Sequence, residues 1–163
     1  MKRREFIATT ALVSLASTLN SKSIENIDNK AWLVLDEVLE IIFPQTDKMP
    51  SSKDFGAIKY LKEVSSNDTF DEADKKLIFQ GSLDFLDTFP EFLSSNKTQK
   101  ENFVQSANES SYGQEWLNKV IYYGIEAMLS DPIYGGNTKE IGWKSLNHET
   151  GRPQPKRKYA KVV

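Results

Sequence analysis

From Trp32 to Leu129 the apolar side chains recur every three or four residues and almost never alternate, which commits the chain to helices ahead of any other property. In Ala31 to Phe43, Trp32, Leu35, Val38, Leu39 and Ile42 share one face; Asp28 or Asn29 is placed to cap the start, and Pro44 ends the run. A second stretch, Asp54 to Val64, carries Phe55, Ile58, Leu61 and Val64 on one side. The third, Asp71 to Thr88, sets Ala73, Leu77, Phe79, Leu83, Phe85 and Leu86 around Gly81. A glycine there costs about 1 kcal/mol against alanine and so marks close packing. Asn96 or Thr98 opens a fourth helix to Asn108, and Ser110 or Ser111 a fifth through Trp116, Val120, Tyr123, Ala127 and Leu129. The expectation is an all-α bundle of about five helices with an irregular segment from Ser130 onward.

A chain of 163 residues, 39% hydrophobic, buries one core and has no length for a second. Its formal charge of −2 is unevenly spread: residues 1–22 carry +3 and 151–163 carry +5, leaving −10 between them. An acidic body speaks against nucleic acid, whose phosphates need a basic face. With no cysteine, disulfides, thiolate nucleophiles, cysteine-ligated clusters and covalent c-type haem are all excluded. The single histidine, His148, cannot by itself build a zinc site. His148 beside Glu149 reads as an exposed pair rather than a base and its orienter, and Asp84, Asp87 and Glu91 read as a solvated acidic face. No catalytic, cofactor-binding or metal-ligating set is assigned to this chain.

The first residues read as an export signal, residues 1–22. Arg3 and Arg4 precede Phe6-Ile7 and an apolar run of 14 residues, Phe6 to Leu19, interrupted by threonines and serines. A membrane-spanning helix needs about 20 residues, so a signal core is the better reading. The R-R-x-F-I pattern and moderate hydrophobicity favour the twin-arginine route, which carries folded proteins. The body is then 23–150, followed by a basic tail, 151–163, suited to anionic headgroups or an acidic patch on a partner, or to solvent.

The stretch Asp131-Pro132-Ile133-Tyr134-Gly135-Gly136-Asn137 contains what a sharp turn needs: a proline of fixed φ, two glycines, and an asparagine that tolerates positive φ. Ile141-Gly142-Trp143 follows, a large ring beside a glycine. Physics alone favours a helix-ending turn whose Tyr134 and Trp143 cap the core; a partner interface built from Asp131, Pro132, Tyr134, Gly135, Gly136, Asn137, Gly142 and Trp143 is the functional alternative. A phosphate loop is set aside, because the G-x-G-x-x-G spacing and a preceding strand are missing.

Two segments carry a family resemblance. Ile42-Phe43-Pro44-Gln45-Thr46-Asp47, with Pro50, Gly56-Ala57 and Tyr60-Leu61, and then Asp131 to Asn137, Gly142-Trp143-Lys144 and Gly151-Arg152-Pro153-Gln154-Pro155, resemble the signatures of the gluconate 2-dehydrogenase subunit 3 family. Phe43 departs from it, standing where a small or aliphatic residue is usual, as does Leu146 to Glu149. The resemblance implies a non-catalytic small subunit whose large partner is an FAD-containing dehydrogenase, with haem c in a further cytochrome subunit. It also implies passage through the twin-arginine translocase, which Arg3, Arg4 and Phe6 would engage, and a periplasmic place beside the inner membrane. Gluconate is the expected substrate of the assembly and another sugar or polyol the alternative. A stand-alone periplasmic sugar-binding protein, stacking a ring on Tyr134 and Trp143, is the reading from a different class.

Overall fold

The computed structural model describes residues 21–151 and Pro155, with side chains from Asn29. Among these there are seven α-helices and no strand: α1 (Ser21–Ile42), α2 (Ser52–Phe55), α3 (Ala57–Ser65), α4 (Glu72–Thr88), α5 (Lys97–Ala107), α6 (Ser111–Leu129) and α7 (Ile141–Ser145). Short 3-10 turns occupy Phe92–Ser94, Pro132–Tyr134 and Thr138–Glu140. The all-α expectation holds, with more helices than five.

Most boundaries follow from local chemistry. Asp71, Asn96 and Ser110 cap α4, α5 and α6, each side chain accepting from the amide three residues on. At α5 the box is reciprocal, since Gln99 accepts from the Asn96 amide at 3.1 Å. Three expectations are corrected. Asp28 and Asn29 do not cap α1: the helix runs from Ser21, and no proline or glycine between there and Ile42 interrupts it. The helix expected over 54–64 is two helices, because Gly56 adopts φ 80° and closes α2 before α3 begins. The segment after Ser130 is not wholly irregular, since it contains α7.

Helices α1, α4 and α6 enclose the core, with α2, α3 and α7 against α6. Val34, Leu35, Val38, Phe55, Phe85, Phe92, Trp116 and Val120 are buried at its centre. Burying each such side chain stabilises the fold by about 1.5–3 kcal/mol before conformational entropy is counted. On α4 the buried line is Ile78, Gly81, Ser82 and Phe85, while Leu77, Phe79 and Leu86 are half-buried. The reason is Gly81, on whose bare Cα the Trp116 indole lies; its Nε1 donates to the Ile78 carbonyl at 3.3 Å. Lys100 on α5 joins Glu37 on α1 at 2.8 Å, tying the fifth helix to the first.

Candidate functional site

Helix α6 ends with carbonyl oxygens that have no partner further along the helix. The Asp131–Trp143 stretch supplies those partners. Its Asn137, fully buried and at φ 43°, donates its amide N–H to Ala127 at 2.7 Å and Nδ2 to Ser130 at 3.0 Å, while Oδ1 accepts from the Gly142 amide at 2.8 Å. The Trp143 Nε1 donates to the Leu129 carbonyl at 2.7 Å. One asparagine and one indole thereby satisfy three carbonyls at the helix end, and neither sits next to them in sequence.

The glycines are explained by the same approach. A Cβ at Gly136 would strike the Ala127 carbonyl, and one at Gly142 the Met128 carbonyl; both are backbone obstacles that cannot move aside. Gly135 takes φ 98° and packs on the backbone of Lys59 and Tyr60. Asp131 accepts from the Ile133 amide at 3.0 Å and Pro132 fills the first position of the 3-10 turn.

The two signature segments meet. Thr138 Oγ1 donates to the Phe55 carbonyl at 3.4 Å and lies over Gly56, so the break between α2 and α3 is where the later loop docks. In the first segment Thr46 Oγ1 accepts from the Met49 amide at 2.9 Å and Gln45 from the Ser51 amide at 3.0 Å, closing the turn after Pro44. The unusual Phe43 has a seat: its ring lies on the bare Cα of Gly124 and edge-on to Phe55, centroids 5.9 Å apart.

Of the residues expected at an interface, Gly135, Gly136, Asn137, Gly142 and Trp143 are buried, and Asp131, Pro132 and Tyr134 are half-buried. In this chain they build the loop. Trp143 is 7% exposed and hydrogen-bonded, so it offers no face on which a sugar could stack with Tyr134. His148 and Glu149 are exposed, and Asp84 accepts from Tyr112 at 2.7 Å and Gln80 at 2.8 Å. Among the described residues no group of three or more His, Asp or Glu side chains is arranged to hold a metal. Arg3, Arg4 and Phe6 lie outside the described residues, as does the basic tail apart from Gly151 and Pro155.

A hollow of about 540 Å³ opens between α3, α6 and the start of α4, with Tyr60, Tyr122, Tyr123, Tyr134, Phe70 and Glu126 in its walls. Burial, then a hydrogen bond to Glu126, pushes the Tyr60 hydroxyl well above its ordinary pKa; burial and a 2.8 Å bond to Asp74 do the same for Tyr123. Asp74 is itself held below the usual carboxylate range: burial opposes this, but hydrogen bonds from Lys119 and Tyr123 outweigh it. Sequence reasoning missed this hollow. Tyr122, Tyr123 and Glu126 were visible on one helix, but only the tertiary fold brings Tyr60 to them.

Residues 29–151 match the family model described as Gluconate 2-dehydrogenase subunit 3. The chain belongs to that family. The matched span includes the first signature segment and the second as far as Gly151. By its description, a subunit 3 chain is one component of a multisubunit gluconate 2-dehydrogenase. No curated protein and no solved structure matches the chain.

Proposed function

We propose that this chain is the non-catalytic small subunit of a periplasmic, FAD-dependent gluconate 2-dehydrogenase, supporting twin-arginine export, maturation and stability of the large flavoprotein subunit. The observation that carries the reading is the family match over residues 29–151, which takes in the first signature and the second as far as Gly151. The sequence supports it further: a chain with no cysteine and one histidine is poorly equipped for redox chemistry of its own and is better suited to a structural part. FAD resides in the partner, where the alcohol is oxidised, and haem c in a cytochrome subunit that takes the electrons onward.

Export logic links the signal to the partner. A flavoprotein that folds around FAD in the cytoplasm needs a route for folded cargo, and Arg3 and Arg4 supply the address. No helix among the described residues is long and apolar enough to cross a membrane. The test replaces Arg3 and Arg4 with lysine and follows the large subunit by fractionation. The reading predicts flavoprotein and activity retained in the cytoplasm; export of the flavoprotein undiminished by the change contradicts it.

A further inference from the structure

The hollow on α6 borders the loop through Tyr134, but Asn137, Gly142 and Trp143, which cap the helix, do not line it. Its walls combine four tyrosines with the carboxylates of Asp71 and Glu126, and Glu126 joins no ion pair among the described residues. The neighbouring Asp74 differs, being engaged by Lys119 at 2.9 Å, and that same ammonium lies 5.7 Å from the Tyr122 ring centre at the rim. A half-buried carboxylate with no ion pair among the described residues and several ring faces together describe a place for a cation that can also donate hydrogen bonds.

Alongside runs an exposed apolar stripe. Tyr122, Ile125 and Leu129 fall at i, i+3 and i+7 of α6 and are 55%, 43% and 39% exposed. A polar anchor flanked by apolar and aromatic surface that excludes water is the usual composition of an energetically dominant contact between proteins. Among cationic side chains arginine fits best, because its planar guanidinium lies flat on rings while its fixed fork donates to both oxygens of one carboxylate, a geometry the point charge of an ammonium lacks.

We propose that the tyrosine hollow is a socket for one arginine side chain presented by the large dehydrogenase subunit, with Glu126 as its counter-ion and the α6 stripe as the surrounding contact. This rests on the accessory-subunit reading and adds to it the face, the anchor and the chemistry of the group that enters. The charge of −10 on residues 23–150 favours an approaching basic surface, and steers it.

The experiment purifies the complex and measures the dissociation constant of the two subunits, at low and high salt, for the wild-type chain and variants. Glu126→Gln keeps the size and an acceptor oxygen of the side chain and removes only the charge. It is expected to weaken association about thirtyfold and to flatten the salt dependence, with an unchanged melting temperature of the isolated chain. Tyr122→Ala, at an exposed ring, is expected to weaken association as well, while Glu101→Gln on α5 leaves it unchanged. Wild-type affinity and salt dependence in both Glu126→Gln and Tyr122→Ala overturn the socket and leave the accessory role standing. A wild-type chain that does not bind the flavoprotein at all overturns the accessory reading itself, and the socket with it. If neutralising Lys156, Arg157 and Lys158 to glutamine produces the Glu126→Gln phenotype, and combining the changes adds nothing, the cation comes from this chain and the proposal falls.

Discussion

Asn137 holds more of this structure than its size suggests. Its side chain bonds Ser130 and Gly142 while its backbone, at φ 43°, bonds Ala127. Asn137→Ala strands the half-buried Ser130 carbonyl and the buried Gly142 amide and strains the left-handed backbone, for an expected loss of about 2–4 kcal/mol in chemical denaturation of the isolated chain. Asn137→Gly, which tolerates that backbone, should recover about 1 kcal/mol of it. Loss of less than about 1 kcal/mol in both would mean that water replaces the asparagine. A pH prediction belongs at this scale too. Tyr60, Tyr112 and Tyr123 are each raised above the ordinary phenol value of 10, chiefly by burial and then by hydrogen bonds to Glu126, Asp84 and Asp74. The folded state therefore holds these protons more tightly than the unfolded chain does. Their contribution is fully present below about pH 10 and is lost as pH rises beyond it. Melting temperature should fall in that alkaline range, and ultraviolet titration should show these three of the six tyrosines ionising only as the chain unfolds. Six phenols titrating together near 10 before unfolding would contradict this.

At the scale of elements, Gly81 and Gly56 make different demands. Gly81 is needed for space, since a methyl there meets the Trp116 ring, and Gly56 for conformation, since its φ is 80°. Gly81→Ala is expected to cost about 1–3 kcal/mol through overpacking, despite alanine's better helix propensity. A stabilised Gly81→Ala chain on thermal melting would show that the indole shifts freely. The helices were legible in the sequence for local reasons: Asp71, Asn96, Ser110 and Pro44 act on backbone within three or four residues of themselves. Close packing at Gly81 was also legible, because a glycine inside a strong helical pattern weakens the helix unless a neighbour needs the space. What escaped is what distance in sequence hides. The apolar spacing of Phe55, Ile58 and Leu61 runs straight through Gly56, so the break shows only when Thr138 and Gly135 arrive to pack on it. Likewise the 131–143 stretch announced a turn, but its role as the cap of α6 depends on carbonyls up to fourteen residues away. The hollow needed α3 and α6 side by side, which no local pattern specifies.

For the whole molecule, the division of labour is between a buried framework and an outward face. The family signature lies in the framework, where Gly136, Asn137, Gly142 and Trp143 fix how the loop caps α6 against α2 and α3. The proposed partner surface lies on the outer side of the same helix, at Tyr122, Ile125 and Leu129 beside the tyrosine hollow, into whose wall Tyr134 of the 131–143 stretch also enters. An accessory subunit of this design would contribute shape and charge to a complex whose chemistry belongs to its partner. The central claim is tested most directly by gentle capture of this chain from membranes, with flavin content and gluconate oxidation measured in the eluate. The account predicts a stoichiometric large flavoprotein with dehydrogenase activity. A chain recovered alone, free of flavin and without activity, would contradict it.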